Sequence, residues 1–318
     1  MAIHIRHCTL SAAVLILTWL PGGSAIAAPV ACPPAKGVTL QVLGSGGPIA
    51  DDDRAGSGYV VWIDGRARVL IDAGSGTFLR FAESGASFTD LDFVGLSHFH
   101  VDHTAGLPAL LKSGSFSGRS RALIIAGPAA AEPFPGLRAF MASLLDKEEG
   151  AYAYLGGYLD GQGRLPKLAL FEVHELNTDP VLLLGDADGD YQVSALRISH
   201  GIVPALAYRV RVGDSVVVFA GDQDGKNENL ARFAENADIL VLHMPISESA
   251  TGVASQLHAH PSVLGQLAEN ASAKVVIVSH LMRRSLTNID ANIAQLQSRY
   301  NGAVQVAHDL SCHTVHQE

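Results

Sequence analysis

Apolar residues fall in two rhythms along the chain. The runs Val38–Leu43, Tyr59–Ile63, Ala67–Ile71 and Phe93–Leu96 are short and rich in β-formers, which predicts strands, whereas Thr77–Ser84 predicts a short helix. The second half repeats the style. Strands are expected over Gln192–Ile198, Ala205–Val212, Val216–Ala220, Ile239–Leu242, Val275–Val278 and Ala303–Val306. Helices are expected over Asn227–Asn236, Ser262–Ala271 and Ile289–Tyr300. This alternation is that of an α/β protein. No Pro/Gly/Ser-rich linker divides the chain, so residues 28–318 read as a single domain.

Between Gly127 and Asp190 the alternation lapses. Pro128, Pro133 and Pro135 precede a helical stretch around Leu137–Leu145, and the aromatic run Ala151–Tyr158 follows. Long irregular connections serve as lids, binding loops or disordered pieces. The aromatic content argues against disorder, which leaves a lid or a packed insertion over about 128–190.

The first residues do not join the core pattern. Arg6 precedes the apolar stretch Leu10–Leu20, Pro21-Gly22-Gly23 breaks it, and Ala25-Ile26-Ala27 supplies small residues suited to a signal peptidase. The stretch is shorter than the about 20 residues a membrane span needs. A signal peptide over residues 1–27, removed by cleavage after Ala27, is therefore expected, with a periplasmic or secreted product and no membrane association afterwards. Cleavage leaves two of the three cysteines, Cys32 and Cys312, and an even count in an exported protein favours a disulfide. The alternative is a pair of buried thiols.

The chain has 318 residues, of which 48% are hydrophobic and 17% charged, ample for a sizeable core. Its net charge is −9, and loss of Arg6 takes it to −10. Long-range repulsion of polyanions follows, so a small-molecule substrate is expected and nucleic acid is not. The oligomeric state is left open.

The strongest chemical signal is His98-Phe99-His100-Val101-Asp102-His103. Two histidines two apart in extended backbone point the same way and can grip one ion. Asp102 and His103 follow where the chain turns toward a helix, so they can reach a second ion beside the first. Neutral imidazole and carboxylate suit zinc, with manganese or iron(II) as alternatives.

With these residues the sequence resembles the metallo-β-lactamase superfamily, from about Val38 to His308. Asp72 in Leu70-Ile71-Asp72-Ala73-Gly74 matches the first motif and the histidine cluster the second. His200, Asp222 and His280 match the third, fourth and fifth. The resemblance implies an αβ/βα four-layer sandwich, two mixed sheets packed face to face with helices outside. It also implies that His98, His100 and His200 hold one metal and Asp102, His103 and His280 the other. Asp222 would bridge them, and Asp72 would support the ligands from behind.

Within the superfamily the likeness is to the branch of ribonuclease Z, arylsulfatase-like and phosphodiesterase-like members. Leu43-Gly44-Ser45-Gly46-Gly47-Pro48, His103-Thr104-Ala105-Gly106-Leu107-Pro108 and Pro204–Arg209 carry it. His258 stands where that branch has a further histidine, and His260 follows two residues on. The chain departs from ribonuclease Z in having only a plain strand pair between His200 and Asp222, where the tRNA-gripping arm would be. It also has His243 where a glutamate would pair with the extra histidine.

The expected activity is that of an exported dinuclear hydrolase whose metal-bound hydroxide cleaves a small anionic ester, a phosphodiester above all. Its catalytic candidates are Asp102, which doubles as a ligand, and His258, a histidine placed to protonate the leaving group near neutrality. A lactamase or lactonase, and a non-catalytic metal-binding protein, are the alternatives. Arg283 and Arg284 are candidates to meet a substrate anion, and His174, His308, His313 and His316 receive no role.

Overall fold

The computed structural model describes residues 32, 36–163, 165–174, 179–185 and 190–315. The signal peptide expected over residues 1–27 lies outside the described residues. Among those described, no helix is long and apolar enough to cross a membrane.

Among the described residues, fourteen strands form two sheets of seven. In the first half these are β1 (Val38–Gly44), β2 (Gly58–Ile63), β3 (Arg66–Ala73), β4 (Phe93–Gly95), β5 (Ile124–Pro128) and β6 (Ala169–Val173). The second half supplies β7 (Val181–Leu184), β8 (Gln192–His200), β9 (Val203–Val212), β10 (Ser215–Phe219), β11 (Ile239–His243), β12 (Val275–Ser279), β13 (Ala303–Val306) and β14 (Cys312–Thr314). The first sheet has the order β14-β1-β2-β3-β4-β5-β6 and the second β13-β12-β11-β10-β9-β8-β7.

The two sheets share one plan. Each has three antiparallel pairings followed by three parallel ones: β14 to β3 and then β3 to β6 in the first, β7 to β10 and then β10 to β13 in the second. Parallel strands need crossovers, and these are the helices. Thr77–Glu83, Leu107–Gly114 and Leu137–Leu145 serve the first sheet, and Asn229–Phe233, Pro261–Asn270 and Ile289–Gln297 the second.

Burial explains the apolar runs. In β10, Val217 and Phe219 face the other sheet, while Val216 and Val218 face the helices. A strand covered on both faces loses the polar alternation and reads as continuous hydrophobic sequence. Val38, Leu40, Val42, Tyr59 and Val241 complete the layer between the sheets, and Leu43, Val60, Leu70 and Leu111 lie under the helices of the first sheet. The expected four-layer αβ/βα sandwich is what forms.

The described residues between 128 and 190 are built into both sheets. They supply the edge strands β6 and β7, and Phe140 stacks on Phe99 at 4.6 Å between ring centroids. Tyr158 is buried and donates its hydroxyl to the Leu111 carbonyl at 2.9 Å. This is a packed insertion. Among the described residues, none of those lining the histidine cleft comes from it.

The sequence pattern ended at β13, but the chain continues. β14 lies antiparallel to β1, pairing Gln41 with Cys312 and Thr39 with Thr314. Cys312 is bonded there to Cys32, with 5.8 Å between Cα atoms, so the two ends of the described chain are joined across 280 residues. A bond closing so long a loop removes much freedom from the unfolded chain and contributes about 2–4 kcal/mol. Cys32→Ser should therefore lower Tm by roughly 5–15 °C, with the reduced wild type showing the same shift. Calorimetry finding equal Tm for wild type, variant and reduced protein would show that the bond contributes no stability.

Candidate metal centre

The candidate side chains converge on one edge of the sandwich, at the C-terminal ends of strands. Asp72 ends β3, the His98–His103 segment follows β4, and His200 ends β8. Asp222 follows β10 and His280 follows β12. His98, Asp102, His103, His200, Asp222 and His280 are buried, and His100 is partly so.

Local backbone geometry aims them. His100 is still extended, with φ −63° and ψ 149°, and the helix Val101–Thr104 begins directly after it. Thus His98 and His100 leave the strand together, with ring centroids 4.4 Å apart, while Asp102 and His103 turn to the other side. Asp72 (φ 57°) and His280 (φ 54°) both adopt the left-handed region that non-glycine residues rarely enter. Such conformations persist where surrounding contacts impose them, typically at functional sites. Gly74 admits the close approach of this helix, since a Cβ there would lie 2.0 Å from the Asp102 carbonyl oxygen.

Hydrogen bonds then fix which nitrogen each ring offers. Asp72 accepts from the Ser97 amide at 2.7 Å, the Ser97 hydroxyl at 2.8 Å and His103 Nδ1 at 2.8 Å. His200 donates Nδ1–H to the Leu257 carbonyl at 2.8 Å. Both rings are left presenting Nε2. The Nε2 atoms of His98, His103 and His200 are buried and have no hydrogen-bond partner in the protein. They face Asp222 Oδ2 at 4.0, 3.7 and 3.7 Å. On the far side, Asp102 Oδ2 lies 3.5 Å from His103 Nε2 and 3.1 Å from His280 Nε2, which is 3.5 Å from Asp222 Oδ1.

Orphaned buried nitrogens around carboxylates are what a cation would complete, so the residues present fit a metal. The donor atoms of His98, His100 and His200 lie within 4.8 Å of one another, as do those of His103, Asp222, His243 and His280 and those of His200, Asp222 and His258. Imidazole nitrogen and carboxylate oxygen form a donor set suited to zinc, manganese or iron.

Electrostatics agree. Burial, and then the neighbouring His103, push His98 well below the usual imidazole range. Burial also opposes charge on His103, but Asp72, Asp222 and Asp102 overcome it and hold His103 well above that range. Asp222 is held well below the carboxylate range against its burial, by His280 and His103. The cluster is thus arranged to keep its carboxylates ionised and to attract positive charge.

His258 reaches the same place. Its Nδ1 has no partner and lies 3.9 Å from Asp222 Oδ2, and the ring lines the cleft. Burial lowers its pKa to about 3. His260 precedes the helix Pro261–Asn270 as its N-cap and does not line the cleft. Arg283 is occupied elsewhere, donating Nε–H to the Asp51 carbonyl at 2.8 Å. Arg284 does line the cleft, its Nε held by the Pro245 carbonyl at 2.9 Å. The Gly44–Gly47 turn packs beside the site, where a Cβ on Gly47 would lie 2.9 Å from His280 Cε1.

One residue escaped the sequence reading as part of the site. His243 ends β11, is buried, and donates Nδ1–H to Asp222 Oδ1 at 2.6 Å. Standing where ribonuclease Z has a glutamate, it pairs with Asp222. The available signal was positional, because like His200 it ends a strand at the edge that carries the cluster.

Comparison with known proteins bears on this geometry. The family model described as "Anti-Pycsar protein Apyc1" matches residues 38–298. Ribonuclease Z of Thermobifida fusca is 26% identical over 295 residues, covering 85% of this chain and 92% of that protein. The short form of human tRNase Z superposes with a TM-score of 0.68 at 20% identity, covering 88% of this chain and all of the other. YhfI of Bacillus subtilis, a metallo-β-lactamase fold protein, gives 0.67 at 21%, covering 88% and 99%.

The nuclease relatives overturn the expectation of a small-molecule substrate and no nucleic acid. That expectation rested on export, on the plain strand pair between His200 and Asp222, and on net charge, which acts at long range and is screened within about 10 Å. A scissile phosphate is held by the charges immediately around it. The ligand constellation, the sandwich and the match over residues 38–298 together establish a metal-dependent phosphodiester hydrolase, and the chain belongs to the Apyc1 anti-Pycsar family, in the ribonuclease Z branch of the metallo-β-lactamase superfamily.

Proposed function

We propose that this hydrolase is an exported phosphodiesterase that cleaves a phosphodiester bond in a nucleic-acid substrate with two divalent ions, zinc in the first instance. The observation that carries the reading is the set of buried, unpartnered imidazole nitrogens facing Asp222 and Asp102. In it His98, His100 and His200 hold one ion, Asp102, His103 and His280 the other, and Asp222 serves both. When bound, the ions supply positive charge to the phosphoryl oxygens and a water acidified to near neutrality.

The chain's own residues do the rest. Asp72 keeps His103 in the tautomer that presents Nε2, and the Leu257 carbonyl does the same for His200. The cleft, about 510 Å³, is rimmed by Ile49, Val101 and Val253, which are exposed and suit the faces of unpaired bases beside the scissile phosphate. Arg284 supplies the cation of the rim. His258 faces the leaving-group side, and a bound phosphate would raise its pKa and supply the reason for it to carry a proton. β9 and β10 are joined through Gly213 and Asp214 alone, so no arm grips a folded RNA at that point.

The decisive experiment offers mature protein loaded with zinc or manganese a phosphodiester reporter, a single-stranded RNA oligonucleotide, a sulfate ester, a lactone and a β-lactam. Elemental analysis of the same sample should find two ions per chain, and hydrolysis should be confined to the phosphodiester and the RNA. A preference for the lactone or β-lactam, or inertness toward RNA, would overturn the reading.

His258→Ala should lower turnover by roughly 10²–10⁴-fold with poor leaving groups while metal content stays at the wild-type level. The loss should shrink with acidic leaving groups, which depart without a proton, and His260→Ala should change turnover little. Equal losses in both variants across leaving groups would remove the proton-donor role.

Export is supported by the apolar stretch Leu10–Leu20, by Ala25-Ile26-Ala27 and by the Cys32–Cys312 disulfide, a bond characteristic of oxidising compartments. Full-length protein expressed in a bacterium should be recovered outside the cytoplasm with Ala28 as its first residue. N-terminal sequencing that finds intact residues 1–27 on cytoplasmic protein would refute it.

A further inference from the structure

We propose that His243 is a positioning residue of the metal centre and not one of its ligands: with Tyr59 it fixes the plane of the Asp222 carboxylate so that Oδ2 points at the Nε2 atoms of His98, His103 and His200. The proposal rests on the two-metal reading above, and it assigns a role to a residue that sits among candidate donor atoms.

Both ring nitrogens of His243 are engaged. Nδ1 is 2.6 Å from Asp222 Oδ1, and Nε2 is 3.0 Å from the Tyr59 hydroxyl. In this it differs from His98, His103 and His200, each of which keeps a buried Nε2 with no partner. An ionised carboxylate only accepts, so the proton in the short contact belongs to Nδ1. A nitrogen bearing that proton has no lone pair to offer an ion. His243 occupies Oδ1 on one side, while His98, His103 and His200 converge on Oδ2.

The support behind His243 is rigid. Tyr59 is fully buried on β2 of the first sheet, its ring 5.5 Å from Phe219 of the second. Its hydroxyl also lies 2.8 Å from Ser279 Oγ, the residue before His280. His243 stacks on His280 with 4.8 Å between ring centroids. The Tyr59 hydroxyl thus connects the strand ends that carry Asp222 and His280 to the opposite sheet. Groups that orient metal ligands in this way are worth 10–100-fold in metal affinity.

The test compares His243→Ala, His243→Asn and Tyr59→Phe in the full mature chain by zinc titration against a competing chelator and by the visible spectrum of the cobalt-substituted protein. Asparagine keeps an N–H donor near the position of Nδ1 but is a poor ligand. His243→Ala should weaken zinc binding about 10–100-fold, His243→Asn should recover most of that loss with an unchanged cobalt spectrum, and Tyr59→Phe should fall between them. Should the alanine variant not fold, the asparagine and phenylalanine variants give the same discrimination.

Loss of an ion and a changed cobalt spectrum in His243→Asn as in His243→Ala would make His243 a ligand and overturn the proposal. Wild-type affinity in all variants, with only Tm lowered, would reduce it to a packing role. A wild-type protein that binds fewer than two ions would instead refute the two-metal reading, and the proposal with it.

Discussion

Asp222 carries an ionised carboxylate into the buried seam between two sheets, where an uncompensated charge is not tolerated. One oxygen is met at 2.6 Å by the His243 N–H. The other faces three ring nitrogens at 3.7–4.0 Å, too far for hydrogen bonds, and none of the three has a hydrogen-bond partner elsewhere. Protons can repair only part of this, because imidazolium rings packed together repel one another. The proposed pair of divalent ions would answer every one of these groups at once. The left-handed backbone at Asp72 and His280, unfavourable in isolation, delivers side chains to that seam.

The site exists only when both halves of the chain have folded and met. The first sheet brings His98, His100, Asp102 and His103, and the second brings His200, Asp222 and His280. Polar ties cross the seam just beneath these residues. The Leu206 amide donates to the Ser97 carbonyl at 2.8 Å, and the Tyr208 hydroxyl reaches the Leu96 carbonyl at 2.9 Å. At the other end of the cluster the Leu281 amide donates to the Ser45 carbonyl, again at 2.8 Å. With apolar packing on both faces of each sheet, these bonds place the ligand-bearing strand ends against one another. Precision at the centre is therefore a property of the whole sandwich and not of the loops alone.

Central strands and the histidine cluster were readable because each leaves a local mark. A strand buried on both faces, such as β10 or β11, is an unbroken apolar run, and His98–His103 compresses four candidate ligands into six residues. Edge elements leave a weaker mark. β6 and β7 are only partly buried, and β14 has three residues and no apolar alternation. What holds β14 is its pairing with β1 and the Cys32 bond, contacts more than 250 residues away in sequence. The role of His243 was hidden for a related reason. Its partners, Tyr59 and Asp222, lie on β2 and beyond β10, and nothing in Leu242-His243-Met244 indicates which of its neighbours it will meet.

Net charge misled about substrate because it sums over the whole surface and not over the site. The acidic groups Asp51–Asp53 lie in a loop whose backbone is held by Arg283, and Asp72, Asp102 and Asp222 are committed to the histidines. What a phosphodiester would meet is different in kind: unpartnered imidazoles at the floor, the Arg284 guanidinium at the side, and exposed Ile49, Val101 and Val253 around the mouth. With β9 and β10 joined by a tight connection, no arm extends from that point to grip RNA remote from the bond being cut. In the proposed phosphodiesterase, recognition therefore falls to the scissile phosphate and the groups immediately beside it. That arrangement favours an unpaired strand or end, whose bases are free to lie against the apolar rim, over a duplex whose bases are stacked away from it.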